Sequence, residues 1–176
     1  MKNKIVICLI LTASTGIFAD NYYISPAVLV QHISASDSSF WGAHPRLALG
    51  YDTKCDRYYF AGELFAIPAT ATFADNSNPG AVHARATRSY GASFLPGIYL
   101  NNILVGYLRL GAVGSKFTEP DATKIGGQVG FGLQTFLNDC WDLRAEYIFT
   151  KYENIAGLGA PKSNEIGVGA IYRLNF

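Results

Sequence analysis

Beyond its first twenty residues the sequence never assembles the ~20 consecutive apolar residues that a membrane helix needs, although 49% of the whole chain is hydrophobic. A helical span is excluded there, so the apolar residues must be distributed in another way. Charge of one sign is also missing. Lys and Arg together number 14 against 13 Asp and Glu, a formal net of +1, which gives no electrostatic case for nucleic acid as a partner. Histidine is scarce, with only His32, His44 and His83. Cys-x-x-Cys spacing is absent, so neither a zinc site nor a redox dithiol is indicated. A phosphate-cradling loop is missing too, because Gly126, Gly127, Gly130 and Gly132 fall inside a strand-like segment. No cofactor and no metal is expected.

The amino end carries Lys2 and Lys4, an apolar run over residues 5–11, then small and polar residues and an acceptable cleavage point after Ala19. This is the pattern of a secretory signal, too short to span a bilayer as a helix. Residues 1–19 are therefore set apart from a single mature domain, residues 20–176. Two of the 14 basic residues leave with the signal, and the mature chain is close to neutral.

The end of the chain is the most informative stretch. Ile166, Val168, Ala170, Tyr172, Leu174 and Phe176 recur at every second position, with Gly167, Gly169, Arg173 and other small or polar residues between them. A period of two is a strand with one apolar face. The same period recurs over residues 22–33, 43–52, 57–69, 88–100, 103–115, 125–137 and 141–152, giving eight strands in all. Connections between them alternate long and short, and the short ones carry turn formers such as Asn101 and Asn102. Closure of eight antiparallel strands in an up-and-down barrel follows as the expected all-β fold.

Alternation does not say which face points inward. A soluble, lipocalin-like secreted barrel would bury the apolar face, and an outer-membrane barrel turns it to lipid. Here the polar face is mostly Gly, Ala, Ser and Gln with few charges, and Tyr22, Tyr51, Tyr58, Tyr90, Trp141, Tyr147, Tyr172 and Phe176 gather toward strand ends on the apolar side, as in interfacial aromatic belts. The inverted arrangement fits better.

These features resemble the small eight-stranded outer-membrane β-barrels related to the OmpA transmembrane domain, OmpX and the opacity proteins. The resemblance rests on the terminal strand through Phe176, the strand from Tyr58 to Leu64 with Glu63 inward, and the run around Arg109. It implies four longer extracellular loops, short periplasmic turns, and Tyr172, Leu174 and Phe176 as the signal read by the barrel-assembly machinery. It also implies the outer membrane of a Gram-negative bacterium as the location, lipid and lipopolysaccharide as surroundings, and a monomer. Such barrels include adhesins and structural proteins, so the expected role is a non-enzymatic surface scaffold. A narrow porin-like passage for small solutes is the alternative.

Inward charges suggest a cluster of Arg46, Glu63, Arg109 and Glu146 near the axis, with Arg144 and Arg173 below it. A symmetric turn around Lys54 and Cys55 would set Arg46 opposite Glu63. The cluster reads as an ionic plug or as a gate. Phe40 and Trp41 in the first loop, and Phe73 and His83 in the longest, are the candidate contacts with a surface ligand or with lipopolysaccharide. His32 and His44 could approach each other at the rim. A lipid-modifying enzyme would need Ser, His and carboxylate together at that rim, and only His83 with Ser77 and Asp75 offers this. Cys55 and Cys140 fall in two short turns; the oxidising periplasm permits a bridge, while turns on opposite sides of a barrel oppose one.

Overall fold

The computed structural model describes residues 21–35, 38–75, 86–117, 122–154 and 160–174. Its strands are β1 (Asn21–Ala35), β2 (Ser38–Cys55), β3 (Tyr58–Ile67), β4 (Ala71–Asp75), β5 (Ala86–Tyr99), β6 (Leu104–Phe117), β7 (Ala122–Phe136), β8 (Trp141–Tyr152) and β9 (Lys162–Leu174). Every neighbour pairs antiparallel, and β1 meets both β2 and β9, which closes the sheet. β3 and β4 both lie along β2, separated by residues 68–70. They form one broken wall element, so the barrel has eight strands.

Pro68 at the break cannot donate to a ladder. Two further prolines sit inside strands at ladder gaps. The β1–β9 pairing skips Ser25 and Pro26, and the β5–β6 pairing skips Leu95 and Pro96. The sequence thus places proline where one side of the strand gives up its hydrogen bonds, and the remaining neighbour holds the wall.

At one end the connections are tight. β2 and β3 pair down to Cys55 opposite Tyr58, leaving Asp56 and Arg57 as a two-residue turn in which Asp56 has a φ of 57°, the left-handed conformation such turns need. Asn101 Oδ1 accepts from the Ile103 amide at 2.9 Å, and Asn138 Oδ1 accepts from Cys140 and Trp141 at 3.0 and 2.9 Å. These side chains replace missing backbone partners, which fixes the β5–β6 and β7–β8 turns.

The two faces are chemically opposite. Outward side chains include Val28, Leu47, Leu49, Leu64, Leu108, Phe131, Ile166 and Val168, all exposed, while the inward positions of the same strands are buried. Aromatic rings mark the turn end of this belt, where Tyr22 packs on Tyr51 at 5.3 Å and Trp141 on Tyr172 at 4.9 Å. Near the opposite rim, the loop end, Trp41 stacks on His32 at 4.6 Å. A belt of exposed Leu, Val, Ile and Phe around a polar interior is the inverse of a water-soluble barrel and suits hydrocarbon outside.

One expectation is corrected here. The first connection is not a loop reaching residue 42, because β1 and β2 stay paired up to Ala35 opposite Ser38. Phe40 and Trp41 are therefore strand residues. Phe40 is buried inward with Ile33, Phe65, Ile67, Val113 and Tyr152, and Trp41 faces out beside His32. Phe73 lies in β4 rather than in an irregular loop. His83 and Phe176 lie outside the described residues. Cys55 ends β2 and Cys140 immediately precedes β8, so the two cysteines flank the β2–β3 and β7–β8 turns, on opposite sides of the closed ring.

Candidate functional site: the charged lumen

Eight strands enclose space for side chains and little else. Into that space the alternation sends Arg46 and Asp52 from β2, Glu63 from β3, Arg109 from β6, Asp142, Arg144 and Glu146 from β8, and Glu165 and Arg173 from β9, all buried. They sort into layers along the axis.

The middle layer holds three guanidiniums and two carboxylates. Arg109 donates to Glu63 at 2.5 Å through Nη2 and to Glu146 at 3.0 Å through Nε. Arg144 donates to Glu63 and Arg46 to Glu146. Tyr23 and Tyr107 add hydroxyl donors to Glu63 at 2.9 Å and to Glu146 at 3.3 Å. The Arg144 guanidinium also lies 5.7 Å from the Tyr23 ring centre and 5.2 Å from that of Tyr107. Each carboxylate thereby has at least three donors, which is what a buried charge requires.

The layer nearer the turn end is built on Arg173. It donates to Asp52 at 3.0 and 3.1 Å and to Asp142 at 2.7 Å. Gln134 bridges the two layers, donating to Asp142 at 2.8 Å and accepting from Arg144 at 3.0 Å. Tyr59 completes the network beside Asp52 and Gln134 at 3.5 and 3.4 Å.

A third, smaller group lies toward the loop end. Glu165 accepts from Gln31 at 3.1 Å and from Ser163 at 3.1 Å, and its other oxygen faces His44 Nε2 at 3.5 Å. Around and above it the lumen is lined by hydroxyl and amide pairs, including Ser89 with Ser115 at 2.7 Å and Gln128 with Thr150 at 3.2 Å.

Such large inward side chains fit because glycine stands opposite some of them. Tyr23 faces Gly50 across β1–β2, where a Cβ would lie 2.1 Å from the Tyr23 ring. Tyr107 faces Gly132 across β6–β7, where a Cβ would lie 2.3 Å from the Tyr107 hydroxyl. The tyrosines that reach the carboxylates thus depend on two residues with no side chain.

The six charged residues singled out from the sequence all face inward, but their pairing differs from the expected one. Glu63 lies opposite Gly50, not Arg46. The two-residue turn at Asp56 and Arg57 extends β2 to Cys55 and shifts the register by four residues from the one assumed. Arg46 accordingly crosses the lumen to Glu146. Arg144 belongs to the middle layer with Glu63, and only Arg173 sits below it. Asp52, Asp142, Glu165 and the three tyrosines were not singled out; their inward parity was the available signal. His32 and His44 point to opposite faces of the wall, His32 onto Trp41 and His44 into the lumen, so they form no common rim site. Among the described residues no three His, Cys, Asp or Glu side chains are grouped to hold a metal ion.

No protein-family model matches the sequence, and no curated protein matches it. Solved structures do match. The Neisserial surface protein A (NspA) is 20% identical, with 87% of this chain and 97% of that chain covered and a TM-score of 0.58. Ail, the attachment invasion locus protein of Yersinia pestis, is 16% identical, with 88% and 98% covered and a TM-score of 0.56. Ail in complex with the heparin analogue sucrose octasulfate gives 16% identity, 88% and 99% coverage and a TM-score of 0.54. At these identities the likeness concerns the fold, and with the apolar belt and polar lumen already described it identifies the chain as a small, closed, eight-stranded barrel of the outer-membrane type.

Proposed function

We propose that this protein resides in the outer membrane of a Gram-negative bacterium and acts as a rigid surface scaffold, recognising its partner through the loop end of the barrel. The observation that carries this reading is the layered ion-pair network, in which Arg46, Glu63, Arg109, Arg144 and Glu146 are all buried and joined to one another. A solute would have to break several charge-assisted bonds at once to pass it, and each broken buried pair costs about 3–5 kcal/mol. The lumen then works as a plug, which leaves the loop end as the part of the molecule able to vary and bind. The likeness to an attachment invasion locus protein, and that protein's complex with a sulfated sugar, support surface recognition as the class of activity. Lipid and lipopolysaccharide surround the belt, and the assembly machinery reads the terminal strand with Tyr172 and Leu174. The chain acts as a monomer without enzymatic chemistry.

Two measurements test the reading. The purified barrel in planar lipid bilayers should show no steady conductance; a large, steady one would overturn the plug in favour of a narrow solute passage. Deleting residues 76–81 should leave the heat-dependent gel shift of the folded barrel intact, because connections between strands tolerate change better than the wall they join. Loss of the folded barrel on that deletion would refute the division into scaffold and loops.

A further inference from the structure

Near the loop end the outer wall changes chemistry in one sector. Lys151 of β8 and Lys162 of β9 are both exposed and lie directly opposite each other across the ladder. Like charges in that relation are destabilising, so the wall favours an anion held between them. Room for it exists on the β7 side, where Gly127 faces Lys151 and a Cβ would meet nothing within 4 Å. On the other side Lys162 faces Ser34 of β1, which in turn faces Ser39 of β2. Glu153, two residues beyond Lys151 toward the loops, is exposed, so an anion is repelled from above and approaches from the membrane.

Two residues nearer the belt, the same four strands carry Phe149, Asn164, His32 and Trp41 in a row. Trp41 stacks on His32 with ring centres 4.6 Å apart and is still 47% exposed. Its strand is irregular at that point: the β2–β4 ladder shifts register between Trp41 and Gly42, and a Cβ at Gly42 would lie 2.6 Å from the Ala71 carbonyl oxygen. Bulges of this kind commonly re-aim a side chain, and here the side chain is an indole. Asn164 is fixed by the Tyr147 hydroxyl, which donates to its Oδ1 at 2.6 Å. Two strand spacings, about 10 Å, separate the strand of Trp41 from that of Lys162. Below this row Val28 and Val30 on β1 and Ile166 and Val168 on β9 are all exposed and apolar.

Each row suits a different part of one kind of molecule. The two ammonium groups suit phosphate. An exposed indole flanked by hydroxyl and amide groups suits the apolar face and the hydroxyls of a sugar ring, and the belt suits hydrocarbon. We propose that this sector of β8, β9, β1 and β2 is a binding site for an acylated, phosphorylated sugar of the surrounding leaflet, held by Lys151, Lys162 and Trp41. The site rests on the outer-membrane reading given above and adds to it a specific headgroup with named contacts. It is separate from whatever the loops recognise.

The test is native mass spectrometry of the barrel in uncharged detergent micelles, titrated with diphosphoryl lipid A, monophosphoryl lipid A or phosphatidylglycerol. Diphosphoryl lipid A should bind saturably and be preferred to the other two. Lys151→Gln with Lys162→Gln should weaken it about twenty-five-fold, a factor of about five for each basic residue lost at a membrane surface, and Lys151→Arg with Lys162→Arg should retain it. Trp41→Ala should weaken diphosphoryl lipid A while leaving phosphatidylglycerol unchanged. Unchanged affinity in the double Gln variant would overturn the proposal. So would equal binding of phosphatidylglycerol and diphosphoryl lipid A, which would reduce the sector to a contact for any anionic lipid. The heat-dependent gel shift of each protein is read alongside. Its absence from the unaltered protein would sink the outer-membrane reading, whereas an intact shift without lipid A selectivity would sink the site alone.

Discussion

Replacing Glu63 with Gln removes one charge from the centre of the lumen while keeping the side-chain shape. In the middle layer Arg46, Arg109 and Arg144 already outnumber Glu63 and Glu146. The substitution leaves three guanidiniums with one carboxylate, and both Arg109 and Arg144 lose a charged acceptor at a site that is 3% exposed. The Tyr23 hydroxyl can still donate to the amide oxygen, so the loss is electrostatic rather than steric. Breaking one buried pair costs about 3–5 kcal/mol; with two arginines affected, the expected destabilisation lies at the upper end, about 4–5 kcal/mol. The assay is reversible urea unfolding of the barrel in lipid vesicles, followed by tryptophan fluorescence. Adding Arg144→Gln should recover at least half of the loss, because it removes the guanidinium left without a carboxylate, Arg109 keeping Glu146. A loss below about 1 kcal/mol for Glu63→Gln would mean that water screens the lumen, and would refute the dry ionic plug.

Other consequences can be checked in the same system. Leu64 is 67% exposed at the centre of the belt, and Leu64→Arg should cost about 2–4 kcal/mol in vesicles; an unchanged unfolding midpoint would argue against lipid at this face. Gly50→Val should force the Tyr23 ring off Glu63, since a Cβ there would sit 2.1 Å from the ring, with a loss of about 1–3 kcal/mol from overpacking. Tyr23→Phe should cost about 1 kcal/mol for its hydrogen bond to Glu63, and the effect should shrink in a Glu63→Gln background, where the hydroxyl donates to a neutral amide oxygen instead of a carboxylate.

Which residues face inward was legible in the sequence because parity is all that a strand needs to assign a face. Arg46, Glu63, Arg109, Arg144, Glu146 and Arg173 alternate with apolar residues, and their burial follows from that alone. Height along the axis was not legible. It depends on where each turn begins, and the choice between a four-residue turn at residues 53–56 and a two-residue turn at Asp56 and Arg57 moves Arg46 by four residues relative to Glu63. Phe40 and Trp41 were misassigned for a related reason. The polar run Ser36, Asp37, Ser38 and Ser39 suggests a loop, but polar residues pair well in strands that rise into water, and β1 and β2 remain joined to Ala35 and Ser38. β4 escaped notice because Pro68 ends β3 and only five residues resume the pairing with β2.

The charges also do something the apolar belt cannot. A slip of one residue between neighbouring strands would turn every Leu and Val inward, so the belt forbids it, but a slip of two preserves both faces. The ion pairs distinguish these cases. The middle layer has one more guanidinium than carboxylate, and the layer below has Arg173 against both Asp52 and Asp142, one carboxylate in excess. The two excesses are opposite and adjacent, joined through Arg144, Gln134 and Asp142. Moving β8 by two residues against β7 would carry Arg144 and Asp142 away from Gln134 together, separating the layers and leaving each with net charge in a low-dielectric interior. A barrel whose outer face is nearly featureless Leu, Val and Ile therefore takes its register from the lumen, where a small number of long, paired side chains can satisfy one another in one alignment of the wall.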